Sequence, residues 1–188
     1  LAMYTAKAAG KNCYRVFADD MHLAAVERLD LETHLRGAAS RGELVIHYQP
    51  IYELTTGRVA AMEALVRWNH PERGLLGPLA FIPFAEEGGL IDEIGRFVLA
   101  SACETAFSWI RSVGAPNAPA VSVNLSPRQL LDPTLPDRVE LLLYRCGLPP
   151  AMLILEITES ALMADPDAAI ESLHRLSELG VRLAVDDF

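Results

Sequence analysis

Cysteine is scarce. The 188 residues hold only Cys13, Cys103 and Cys146, far apart and with no CxxC or metal-type spacing. That excludes a disulfide-stapled scaffold and a thiolate zinc site; an odd, scattered set reads as reduced, buried thiols in a cytoplasmic protein. Long apolar runs are missing too. None reaches the roughly 18 residues of a membrane span, and the apolar stretch 75–85 is broken by Pro78 and Pro83. The chain opens in a basic helical pattern with no apolar h-region behind it, so these residues are not expected to be a signal peptide. It also lacks internal repeats and low-complexity segments. Positive charge is in short supply: the formal net charge is −9, and residues 1–17 hold Lys7, Lys11 and Arg15 with no acid, leaving −12 on the remainder. Such a balance repels a nucleic acid polymer unless local patches or metal ions intervene. What is abundant is apolar residue, 51% of the chain, enough for a sizeable core and against wholesale disorder.

Residues 1–17 read as a short helix (Met3 to Ala9), a stop at Gly10 and a strand from Cys13 to Phe17. Residues 18–40 are helical in pattern, with Leu23, Val26, Leu31 and Leu35 at apolar positions. They form either a linker between domains or an amphipathic cap on the next one. From Glu43 onward strands and helices alternate. Strands are predicted at 44–51, 58–66, 121–125, 152–157 and 181–186. Between them Ile91, Ile94, Val98, Ala102, Ala106, Trp109 and Val113 recur at helical spacing. A shorter helix is predicted over 137–145, ending near Gly147. The next has Asp165 as N-cap, Pro166 at its first position, and Ala169, Ile170, Leu173, Leu176 and Leu179 as its buried stripe. Strands separated by helices pair in parallel through crossovers. The first connection differs, because Leu54-Thr55-Thr56-Gly57 is only a hairpin-length turn, so the first two strands should be antiparallel.

The ends of these strands carry oxygen ligands: Glu63 on the second, Asn124, Glu156, then Asp186 and Asp187. Glu156 interrupts an apolar run, and a charge there must be paired or bound to a cation. In a closed α/β barrel the C-terminal strand ends converge on one face, where active sites are built. Carboxylates with one amide suit a hard divalent ion, magnesium or manganese, better than zinc. One ion would polarise a phosphoryl oxygen and a second would clamp the nucleophile or leaving oxygen. Adjacent Asp186 and Asp187 point in opposite directions and are placed to reach two ions. Each acid singly reads equally as a helix cap or salt-bridge partner. Arg67, beyond Glu63, is either a phosphate grip or a surface ion pair. Gln49 either contacts a base or satisfies backbone at a strand end. Trp68, His70 and Pro71 read as a turn with aromatic packing, and His22, His34, His47 and His174 have no spacing that points to a shared metal.

Glu63-Ala64-Leu65-Val66-Arg67-Trp68, Phe81-Ile82-Pro83 through Glu86-Glu87-Gly88-Gly89-Leu90-Ile91, Ser122-Val123-Asn124-Leu125-Ser126, Leu155-Glu156-Ile157-Thr158-Glu159-Ser160 and Asp186-Asp187-Phe188 resemble, in order, the motifs of EAL domains. The resemblance covers about residues 41–188. It implies a (β/α)8 TIM-barrel-like α/β fold with a first antiparallel strand, incomplete in this chain, and hydrolysis of cyclic di-GMP to the linear dinucleotide with two magnesium or manganese ions. It further implies Glu63, Asn124, Glu156 and Asp186 as metal ligands, Asp187 as serving the second metal, and Arg67 and Gln49 as substrate contacts. Glu63, Asp186 and Asp187 would be the catalytic set.

Residues 1–17, with Ala6-Lys7-Ala8-Ala9-Gly10-Lys11-Asn12, resemble the tail of a GGDEF domain, so residues 18–40 would link two signalling domains in a homodimeric parent. The family's catalytic lysine, a later metal-binding glutamate and a distal glutamine are expected downstream of Phe188. The 188 residues alone are then expected to be inactive or poorly folded. The competing reading is a receptor that binds cyclic di-GMP without turnover or a signalling interaction module.

Overall fold

The computed structural model describes residues 29–186, with Glu159, Ser160, Ala164 and Asp186 described by their backbone. The helices and strand expected in residues 1–28, Cys13 and His22 among them, lie outside the described residues, as do Asp187 and Phe188.

Residues 29–35 form a helix (α1). Its Leu31 and Leu35 are buried in the same core as the strands that follow. β1 (Leu44–Tyr52) and β2 (Val59–His70) are antiparallel, with Gln49 level with Glu63 and Val45 with Arg67. Their turn closes through Gly57, whose amide donates to the Glu53 carbonyl at 2.8 Å and whose φ is 68°. That left-handed conformation favours glycine.

β2 runs four residues past its predicted end. Trp68 and His70 are strand residues rather than part of a turn, because the short β3 (Gly74–Leu76) pairs back onto them, Trp68 with Leu76 and His70 with Gly74. The expected aromatic packing is present: the Trp68 ring meets Phe81 edge-on at 5.7 Å and His70 at 4.7 Å.

After α2 (Ile82–Glu87), the long α3 (Ile91–Val113) crosses over to β4 (Ala120–Leu125). α3 opens on Asp92 and Glu93 and has Arg111 in its last turn, charges that suit its dipole. α4 (Pro127–Leu130) and α5 (Leu135–Cys146) lead to β5 (Leu153–Thr158); α6 (Glu159–Ala164) and α7 (Pro166–Glu178) lead to β6 (Arg182–Asp186). β2, β4, β5 and β6 are parallel neighbours in that order.

Period-two alternation sorts the strands into two faces. Ala64, Val66, Trp68, Val121, Val123, Leu125, Leu153, Leu155 and Ile157 are buried. They share one core with Ile91, Ile94, Val98, Ala102, Cys103 and Ala106 of α3. Two stripe positions deviate from expectation. Val113 is 52% exposed at the end of α3, and Ile170 is 51% exposed on α7, where Ser172 is buried. Asp165 does cap α7, accepting from the Ala168 amide at 3.3 Å, with Pro166 at the first helical position.

Candidate metal and phosphate site

The opposite sheet face carries the oxygen-bearing side chains of Glu63, Asn124 and Glu156. Glu63 is level with Ser122, Asn124 with Glu156, Glu156 with Ala184, and Thr158 with Asp186. Side chains of level partners stand on the same side of a sheet, so Glu63, Ser122, Asn124, Glu156 and Ala184 share one face.

β4 links the two glutamates in a crossed pattern. Asn124, level with Glu156, reaches the other way and donates Nδ2 to Glu63 Oε1 at 2.8 Å. Ser122, level with Glu63, donates Oγ to Glu156 Oε1 at 2.6 Å. Each acid therefore receives one donor from the strand between them. With Nδ2 committed to Glu63, Oδ1 is the Asn124 atom left to meet a cation. Two carboxylates and an amide oxygen on one half-exposed face form a hard, oxygen-only donor set, and they fit a divalent ion of the magnesium type.

Arg67 lies two pleats beyond Glu63 on β2. Its Nη1 donates to the Val66 carbonyl at 2.9 Å, which steadies the guanidinium and leaves the rest of its donor fork for an anion. Gln49 is exposed on β1, level with Glu63. Asp186 closes β6 next to Thr158 by its backbone pairing.

A second cluster was not legible in the sequence. Asp30, His34 and His70 bring ligand-type atoms within 4.8 Å of one another, joining α1 to the end of β2 across a gap that no local spacing reveals. Its chemistry argues against a metal. His70 Nδ1 accepts the amides of Glu72 and Arg73 at 3.1 and 3.2 Å. Its proton therefore sits on Nε2, which is buried without a partner and has no lone pair to offer. Arg73 also neutralises Asp30 at 3.0 Å. Burial, then the neighbouring His34 and Arg73, hold the His70 pKa below its ordinary value, against the pull of Glu72 and Asp30. The cluster is a clasp between α1 and the sheet.

Beside it, Arg41 grips Glu43 at 2.7 Å, and Glu43 accepts Trp68 Nε1 at 3.1 Å. The Arg41 guanidinium pulls the Glu43 carboxyl down to about 2. A concavity of about 660 Å³ lined by Arg96, Phe107, Val139 and Cys146 lies between α3 and α5, on the helical layer and away from the strand-end face.

Parallel strands with helices on the outer face and acids along the inner one define an acid-lined α/β barrel architecture. The chain belongs to the EAL domain family, whose model matches residues 32–188. It is 43% identical over its whole length to 27% of the bifunctional diguanylate cyclase/cyclic di-GMP phosphodiesterase MucR of Pseudomonas aeruginosa. It is 40% identical to 28% of the cyclic di-GMP phosphodiesterase PdeR of Escherichia coli. Among solved structures, the PaMucR phosphodiesterase in complex with c-di-GMP superposes with a TM-score of 0.80 at 43% identity, over 85% of this chain and 64% of that one. The chain thus spans about a quarter of the length of these curated relatives.

Proposed function

We propose that the protein is a metal-dependent phosphodiesterase that hydrolyses cyclic di-GMP to the linear dinucleotide. The observation that carries this reading is the pair Glu63 and Glu156 on one sheet face, each hydrogen-bonded by β4, in a chain related to named cyclic di-GMP phosphodiesterases.

Glu63, Asn124, Glu156 and Asp186 hold a magnesium or manganese ion in this reading, and Asp187 serves a second. When bound, the ions supply Lewis-acid polarisation of the phosphoryl group and a water acidic enough to attack at neutral pH. The chain's own residues do the rest. Asn124 keeps the Glu63 carboxylate in place, and Arg67 binds a phosphate oxygen through the guanidinium edge turned away from Val66. Gln49, on the antiparallel strand, contacts the nucleotide from the side. The parent is further proposed to be a homodimer with a GGDEF-like domain upstream, to which residues 1–17 belong.

The test is hydrolysis of cyclic di-GMP by the full-length protein and its Glu63→Ala variant with saturating manganese. Losing a ligand should reduce turnover by more than the roughly 10–100-fold that losing an outer-shell partner costs a metal site. Undiminished hydrolysis by the variant would overturn the ligand assignment. Nucleotide binding with no turnover in the unaltered protein would make it a receptor instead.

A further inference from the structure

The Ser122 hydroxyl has a role that the strand-end reading leaves unassigned. Ser122 is completely buried, and a buried hydroxyl needs a partner. It finds one in Glu156 Oε1, at 2.6 Å, the short range of an O–H donor on an ionised acceptor. Ser122 is level with Glu63 on β2, yet Glu63 takes its donor from Asn124 instead. The alternation that puts Asn124 on the inner face also puts Ser122 there, one pleat lower.

We infer that Ser122 is the positioning residue for Glu156: its hydroxyl fixes one carboxylate oxygen and so sets the orientation in which Glu156 meets a divalent cation. Losing that donor loosens the carboxylate about its last torsion, whose well is broad, and leaves more ordering to be done when a cation binds. Outer-shell partners of this kind typically change metal affinity by about 10–100-fold. The inference rests on Glu156 being a metal ligand, as proposed above.

The experiment is Mn²⁺ titration of the full-length protein without nucleotide, followed by electron paramagnetic resonance of the free ion, with circular dichroism on every variant. Ser122→Ala should weaken Mn²⁺ binding about 10–100-fold with an unchanged dichroism spectrum, and Ser122→Thr, which keeps the hydroxyl, should restore it. In a Glu156→Gln background, Ser122→Ala should add less than about a twofold change, because coupled residues are not additive; a merely structural serine would weaken both backgrounds alike. Glu156→Gln weakening Mn²⁺ binding while Ser122→Ala does not would overturn the positioning role and spare the ligand reading. Mn²⁺ binding untouched by Glu156→Gln would overturn both. A Ser122→Ala chain without native dichroism, or a Ser122→Thr chain as weak as Ser122→Ala, would show that the hydroxyl serves the fold and not the carboxylate.

Discussion

Cys103 sits fully buried on α3, and that burial, reinforced by the neighbouring Cys146, pushes its thiol up to about 12. The thiolate is the reactive form, so native protein at pH 8 should leave Cys103 unmodified by iodoacetamide. Mass spectrometry should find it alkylated only after urea unfolding, and labelling of the native chain would contradict the burial. The scarcity of cysteine pointed to small buried side chains, and Cys103 behaves so; Cys146 is only half-buried. At the same scale, Glu156 stood out in the sequence because it interrupts an apolar run. Ser122 stood in a quoted motif but drew no role, since a serine in a strand breaks no pattern. Its signal was its place two residues before Asn124, hence on the same face. His34 and His70 were invisible as a pair because they are 36 positions apart and meet only through tertiary packing.

Elements were easier to read than their ends. The five predicted strands all form, each within a residue or so of its boundary except β2. That strand lengthens because β3 pairs with it, a three-residue partner too short to show alternation. The helix over 137–145 gains a turn, spanning Leu135–Cys146. The fit between α3 and α4 depends on a residue with no side chain. A Cβ at Gly95 would lie 1.8 Å from Gln129 Nε2. Gln129 cannot swing away freely, because its Oε1 accepts the Ser126 backbone amide while its backbone N–H donates to Ser126 Oγ, a reciprocal cap on α4. Gly95→Ala should therefore destabilise the fold by about 1–3 kcal/mol, the usual cost of overpacking. Urea denaturation would measure it, and an unchanged midpoint would mean that the cap can be given up without loss.

For the molecule as a whole, acid is the informative perturbation. Glu43 ties Arg41, in the segment after α1, to Trp68 on β2, and its carboxyl is held at about 2 against an ordinary 4.5. A depressed carboxyl contributes stability that is fully present above pH 4.5 and is lost as pH falls toward 2. The gap in urea midpoint between the natural chain and Glu43→Gln should accordingly be widest near pH 7 and narrow between pH 4.5 and 2. A gap that stays constant with pH would detach the pairing from stability. No described helix is long and apolar enough to cross a membrane.

The pairing register of the parallel strands also has a geometric consequence. From Glu63 to Asp186 the path crosses three strand junctions and climbs four residues: two from Ser122 to Asn124, none from Asn124 to Glu156, and two from Ala184 to Asp186. In a barrel of about eight strands with a shear of about 8, a circle of constant height climbs roughly one residue per strand. A climb of four over three junctions is within one residue of that slope, so the backbones of the four residues lie close to one level across the sheet. Slipping β2, β4 or β5 by a single residue would turn Glu63, Asn124 or Glu156 to the helical side. Slipping one of these strands by two would keep the facing but drop that residue by about 6.6 Å along its strand, off the level that the others share.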